Sequence, residues 1–145
     1  MFQRILAAVD SSPGRHSVLQ LAAELARLAE AKVRVLHIAP SSAAMATVVS
    51  LEDDAEAKAI LDDAVAALRN AGVDVEGTLA NALTTQIATT ISSAAEEWPA
   101  DLVILNPHHR GALEALINPR VSDAVAHRSR VAVLLAPEDN SHDQR

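Results

Sequence analysis

The sequence predicts an α/β domain built on an open five-stranded parallel sheet, with helices on both faces. Three observations predict it. Short apolar runs alternate along the chain with stretches of helical period. The runs are continuous rather than alternating, as in Ile5-Leu6-Ala7-Ala8-Val9 and Leu102-Val103-Ile104-Leu105, which is the pattern of strands buried on both faces. The chain is 145 residues long, with no internal repeat and no linker-like segment, so it makes one domain.

The first strand, residues 5–9, ends at Asp10-Ser11-Ser12-Pro13-Gly14, a turn-forming sequence. Val18, Leu21, Ala22, Leu25, Leu28 and Ala29 then recur at helical spacing, and the helix they define ends near Glu30. Val33 to Ala39 is the second strand, stopped by Pro40. Residues 40–50 show no period and read as a loop. From about Leu51, the stripe Ala57, Ile60, Leu61, Ala64, Leu68 and Ala71 makes a second helix, with Asn70-Ala71-Gly72 as its stop. Val73 to Leu79 reads as the third strand. Ile87, Ile91, Ala94, Ala95 and Trp98 give the third helix, ended by Pro99. Leu102 to Leu105 is the fourth strand. Asn118-Pro119 offers an N-cap with proline in the first helical position, and Val121, Ala124 and Val125 continue that fourth helix. Val131 to Leu135 is the fifth strand. The expected domain is 2–136, followed by a polar tail at 137–145.

Composition narrows the function. The formal charge is −7, and the only aromatics are Phe2 and Trp98. A nucleic-acid binder would need a basic face and stacking rings, so no nucleic-acid partner is expected. No apolar run approaches the roughly 20 residues of a membrane span, so no membrane partner is expected either. Met1-Phe2-Gln3-Arg4 leads straight into a strand and has no leader pattern. Without cysteine there is no disulfide and no thiol nucleophile. A cytoplasmic location is the expectation.

The motif search excludes several classes. No G-x-G-x-x-G follows the first strand, and no G-x-x-x-x-G-K-[ST] or G-x-S-x-G occurs. A phosphoacceptor receiver domain would need an acidic pair after the first strand and a lysine after the fifth. Here Asp10 stands alone, and the fifth strand ends Leu135-Ala136-Pro137. In an open parallel sheet, ligands sit beyond the C-terminal strand ends, where the strand order reverses. That singles out Asp10 to Gly14, after the first strand, and Asn106 to Arg120, after the fourth.

The segment Arg4-Ile5-Leu6-Ala7-Ala8-Val9-Asp10-Ser11-Ser12 resembles the opening strand and V-D-x-S turn of the universal stress proteins. The likeness continues through Ala22-Ala23-Glu24-Leu25-Ala26, Val35-Leu36-His37-Ile38, Ala100-Asp101-Leu102-Val103-Ile104 and Val121 to Leu135, and covers residues 2–136. It implies a Rossmann-like, adenine-nucleotide alpha-hydrolase-like fold. Many members of that family bind ATP through G-x2-G-x9-G-[ST] after the fourth strand. Laid onto this chain, the glycines fall on Asn106, His109 and Pro119, and the hydroxyl residue falls on Arg120. The motif is degenerate. Glycine-rich loops hold phosphate by close backbone approach and positive φ, and Pro107 and Pro119 have no N–H to offer.

The candidate ligand-binding residues are therefore Asp10, Ile38, Asn106, His108, His109, Arg110 and Arg120. The resemblance sets Asp10 beside a nucleoside, whereas its local chemistry makes it a turn cap. It sets the Ile38 backbone against adenine, whereas position alone makes Ile38 a core residue. His108, His109, Arg110 and Arg120 gather cationic side chains in an acidic chain. They suit an anion or a solvated loop better than a metal, because adjacent histidines point apart. No metal site and no catalytic residue is nominated. His37, inside a strand, reads as a satisfied, partly buried histidine. Glu52-Asp53-Asp54 reads as the solvated start of a helix. The last strand would be an open apolar edge. Both this edge and the resemblance point to a homodimer through Val131–Ala136. The expectation is a non-enzymatic, stress-related regulatory or partner-binding homodimer with no cofactor and with ATP disfavoured. The alternative is a nucleotide- or phosphate-binding sensor that uses the four cationic side chains. A nucleotide hydrolase ranks last, since no metal-binding acid or water-activating base can be named.

Overall fold

The computed structural model describes residues 2–44, 47–107 and 131–137. Six strands and three helices follow one another as β1 (Arg4–Val9), α1 (Arg15–Ala29), β2 (Lys32–Ala44), β3 (Thr47–Ser50), α2 (Asp54–Asn70), β4 (Asp74–Leu83), α3 (Ile87–Glu97), β5 (Leu102–Leu105) and β6 (Ala132–Leu135). One 3₁₀ turn, Thr84–Gln86, leads into α3. Five strands are parallel. β2 lies between β4 and β1, and β1 and β6 flank β5. The order β4-β2-β1-β5-β6 reverses direction between β1 and β5, so Asp10–Gly14 and the described start of the second segment, Asn106 and Pro107, flank the switch point.

Alternation along the strands divides the core by face. Ile5, Ala7 and Val9 of β1 point to one side with Val33, Val35, Val75, Leu102 and Ile104, and α1 and α2 cover them through Val18, Ala22, Ala64 and Leu68. Leu6 and Ala8 point to the other side with Leu36, Ile38, Val103 and Leu105, where Ile91 and Ala95 of α3 meet them. The punctuation residues act as their chemistry requires. α1 closes on Glu30 in the left-handed region (φ 55°), and the turn after α2 places Gly72 at φ 84°.

Residues 40–50 are not a loop. β2 continues past Pro40, and residues 41–44 pair antiparallel with β3, forming a hairpin in line with the end of β1. Pro40 is tolerated because β1 ends at Val9, opposite His37. On the side β1 vacates, the Pro40 carbonyl accepts the Leu51 N–H at 3.0 Å. A strand residue directs its N–H and C=O to the same side, so the missing N–H costs no rung to β4. β4 also runs to Leu83, beyond the expected Leu79, because it follows β2 out to Ser41. The expected helix at 119–125 and most of the tail lie outside the described residues.

Candidate functional site

A cavity of about 190 Å³ opens beyond the C-terminal ends of β1 and β2. Ala8, Val9, Asp10 and Ser11 form one wall, and Leu36, His37, Ile38 and Pro40 another. Ile87 and Ile91 of α3 close the side, and Glu52 comes in from the hairpin. The lining is mainly aliphatic with a few polar groups, the composition of a small-molecule site.

The turn after β1 gives the cavity Asp10. Its Oδ1 accepts the Ser12 N–H at 2.9 Å and the Ser12 hydroxyl at 2.6 Å. This is the turn-capping role read from sequence, and it leaves the residue half-buried at the cavity wall. Ile38 is the buried core residue its position suggests, and it also lines the cavity.

His37 and Glu52 form a buried pair. His37 is fully enclosed; its Nδ1 lies 3.1 Å from the Val9 carbonyl, and its Nε2 lies 2.6 Å from Oε2 of Glu52. The carbonyl can only accept, so Nδ1 carries a hydrogen. Two bare acceptors would not approach to 2.6 Å, so one proton is shared between Nε2 and Oε2. The expected solvated helix start is corrected here. Glu52 is only 7 % exposed, while Asp53 and Asp54 are exposed as expected. Asp53 is the N-cap of α2, accepting the Glu56 N–H at 2.7 Å. That makes Glu52 the residue before the cap, where an apolar side chain often folds back onto the helix. Here the carboxyl folds onto His37 instead. A buried histidine needs a partner, and that signal was present in the sequence. Which of the acidic residues would supply it was not.

Asn106 follows β5 but does not line the cavity. Its Nδ2 donates to the Gly14 carbonyl at 2.9 Å, tying the β1–α1 turn to the end of β5. The contact is close enough that a Cβ on Gly14 would lie 2.8 Å from Asn106 Nδ2. Asn106 Oδ1 is buried and has no hydrogen-bond partner among the described residues. The structure therefore brings Asp10 and Ile38 together and sets Asn106 apart. His108, His109, Arg110 and Arg120 lie outside the described residues. Among the described residues, no three histidine or acidic side chains cluster to hold a metal ion. No helix there is long and apolar enough to cross a membrane.

The sheet order defines a doubly wound α/β domain, with a cavity beyond the C-terminal ends of β1 and β2. The universal stress protein family model matches residues 1–137, and the chain belongs to that family. Solved structures agree. A universal stress protein from Archaeoglobus fulgidus is 28% identical, with 94% of each chain covered and a TM-score of 0.63. Another structure from that organism, in complex with dAMP, is 25% identical, with 94% of this chain and 98% of that chain covered and a TM-score of 0.62. An Arabidopsis thaliana family member with AMP bound is 12% identical, with 97% and 94% covered and a TM-score of 0.60, a likeness of fold alone. A comparison with curated protein sequences finds no match.

Proposed function

We propose that this universal stress protein is a non-enzymatic regulatory or partner-binding homodimer that does not hold ATP tightly. The carrying observation is Asn106. It stands where the family's ATP motif has its first glycine, and its side chain packs on Gly14 between the turns that follow β1 and β5. The crevice that a phosphate chain would cross therefore contains an amide. The remaining cavity, about 190 Å³, is below the roughly 300–1,000 Å³ of pockets for drug-sized ligands. Of the acidic residues lining the cavity, Glu52 is engaged by His37 and Asp10 by its own turn, which does not favour acid–base work there. For the dimer, the support is the edge of the sheet. Within the described residues β6 pairs only with β5, and Leu135 on it is 36% exposed.

The second reading is a nucleotide- or phosphate-binding sensor with His108, His109, Arg110 and Arg120 as its cations. The dAMP complex of the 25%-identical relative favours it. Calorimetry with Mg-ATP decides between the two. A ligand at about 100 times its Kd stabilises a protein by about 2.7 kcal/mol. At ~1 mM ATP no melting shift of that size is expected, and light scattering should give a dimer. Micromolar ATP binding would overturn the first reading in favour of the second, and a clean monomer would overturn the dimer.

A further inference from the structure

We propose that a cavity at the N-terminal ends of the strands is a second binding site, which takes a small zwitterion whose ammonium and carboxylate are joined by a short aliphatic chain. It lies at the opposite end of the sheet from the switch-point cavity, and it stands whichever reading of ATP holds.

The site is built from the starts of three adjacent strands. Arg4, Lys32 and Asp74 are the first residues of β1, β2 and β4. They form one row across the sheet, since Arg4 is the register partner of Lys32, and Lys32 of Asp74. Alternation puts this row on the same face as the row of Leu6, Arg34 and Glu76. That is the face α3 covers, and the helix ends there at Glu97. Glu97, Trp98 and Pro99 line a cavity of about 340 Å³ together with the first row. Its volume falls within the roughly 300–1,000 Å³ of small-molecule pockets, unlike that of the switch-point cavity.

The two rows treat their charges differently. In the second, Arg34 and Glu76 pair at 2.7 Å, and the Arg34 guanidinium lies 4.9 Å from the centre of the Trp98 ring. In the first, Lys32 and Asp74 are cross-strand neighbours of opposite charge, an arrangement that favours an ion pair. They form none. Among the described residues, no ion pair or hydrogen bond engages the side chains of Arg4, Lys32, Asp74 or Glu97. All four line the cavity instead.

The unpaired charges are also sorted. The cations come from β1 and β2, the anions from β4 and the last turn of α3. That turn has no basic residue to meet the partial negative charge of the helix's carbonyl end, and Glu97 adds to it. An ammonium group between Asp74 and Glu97 supplies the missing cation, and a carboxylate on the same ligand meets Arg4 and Lys32. β1 and β4 are two strand spacings apart, about 10 Å. The long arginine and lysine side chains narrow that gap, so a few methylenes span the rest, packed on Trp98. A ligand with a single charge leaves one side of the cavity unmet.

The test is calorimetry on the full chain with 5-aminopentanoate, pentylamine and pentanoate, which share a carbon chain and differ in charge. Trp98 is the only tryptophan in the sequence, so its emission reports whether a ligand occupies this cavity. 5-Aminopentanoate should bind saturably and shift that emission. Each singly charged analogue should bind at least about tenfold weaker, the effect of one charge-assisted hydrogen bond left unmade. Arg4→Gln with Lys32→Gln should reduce 5-aminopentanoate to the level of pentylamine, and Asp74→Asn with Glu97→Gln to that of pentanoate. All four side chains are exposed, so these variants should fold. The hydrogen bond from Arg4 to Asp101 comes from the backbone N–H and survives the change. An analogue that binds as well as 5-aminopentanoate, no binding of 5-aminopentanoate, or binding without a change in Trp98 emission overturns the site. ATP binding by the same protein would overturn the non-ATP reading and leave this result unchanged.

Discussion

Two buried polar side chains hold the two segments that border the switch point, and they do so differently. Asn106 ties the β1–α1 turn to the end of β5 by one hydrogen bond from Nδ2 to Gly14, and its Oδ1 has no partner among the described residues. Glu52 ties the base of the β2–β3 hairpin to His37, whose two nitrogens are both satisfied, and it faces the cavity. The first clamp packs tightly on backbone, whereas the second borders the cavity. Burial of a polar group thus has two outcomes within one crevice. One fills the space between two turns, and the other lines the cavity. The Asn106 contact spans far more of the chain than the Glu52 contact, but that does not explain the difference. What separates them is whether the clamped segment packs on backbone, as Gly14 does, or bridges over open space, as the hairpin does.

Breaking the second clamp should have the largest effect. His37→Leu leaves Glu52 enclosed without its partner, which costs about 3 kcal/mol, between the figures for orphaned neutral and charged groups. Thermal denaturation should register a fall of roughly 10 °C for a chain of this size. A loss under a third of that would mean the hairpin relaxes and hydrates Glu52, and that the clamp holds nothing in place.

The first clamp should break less severely and be repairable. Gly14 has an ordinary helical φ of −58°, so alanine there meets no backbone strain. The obstacle is Asn106, whose Cγ and Oδ1 would both lie 3.0 Å from the new Cβ. Gly14→Ala should destabilise by about 1–3 kcal/mol, as overpacking does. Adding Asn106→Gly should recover most of the loss, so the double variant is more stable than the sum of the single effects. Additive denaturation free energies would show that the two residues do not compete for the same space.

The two clamps also mark where sequence reading succeeded and where it stopped. The parallel strands were legible because burial on both faces makes Ile5–Val9 and Leu102–Leu105 continuous apolar runs. Asp10 was legible because an aspartate two residues before a serine makes its turn locally. The hairpin was not legible. Pro40-Ser41-Ser42-Ala43-Ala44 has neither alternation nor strand-forming side chains, and all four residues of β3 are exposed. Its pairing comes from β2 continuing beyond the end of β1, which is a tertiary circumstance. Glu52 shared that fate. Without the hairpin nothing in a run of three acidic residues says that the first turns inward. Asn106 stood out in the sequence because the resemblance sets a glycine there, but its use as a latch on Gly14 depends on contact with a turn at the far end of the chain.

The smallest effect is expected where the hairpin is most exposed, and it tests whether the second clamp alone holds that segment. Val48 and Val49 are 65% and 45% exposed, and no described contact buries them. Replacing both with threonine keeps the branched Cβ that favours a strand and removes only apolar surface. If Glu52 and the Pro40–Leu51 hydrogen bond fix the hairpin, stability should change by no more than about 0.5 kcal/mol, within the usual range for surface substitutions. Melting curves at two protein concentrations check this, because a chain whose valines are covered by another copy would lose more stability at high concentration than at low. A fall of several degrees that deepens with concentration would mean that the hairpin is held from outside, and that its clamp to His37 is a consequence of assembly rather than its cause.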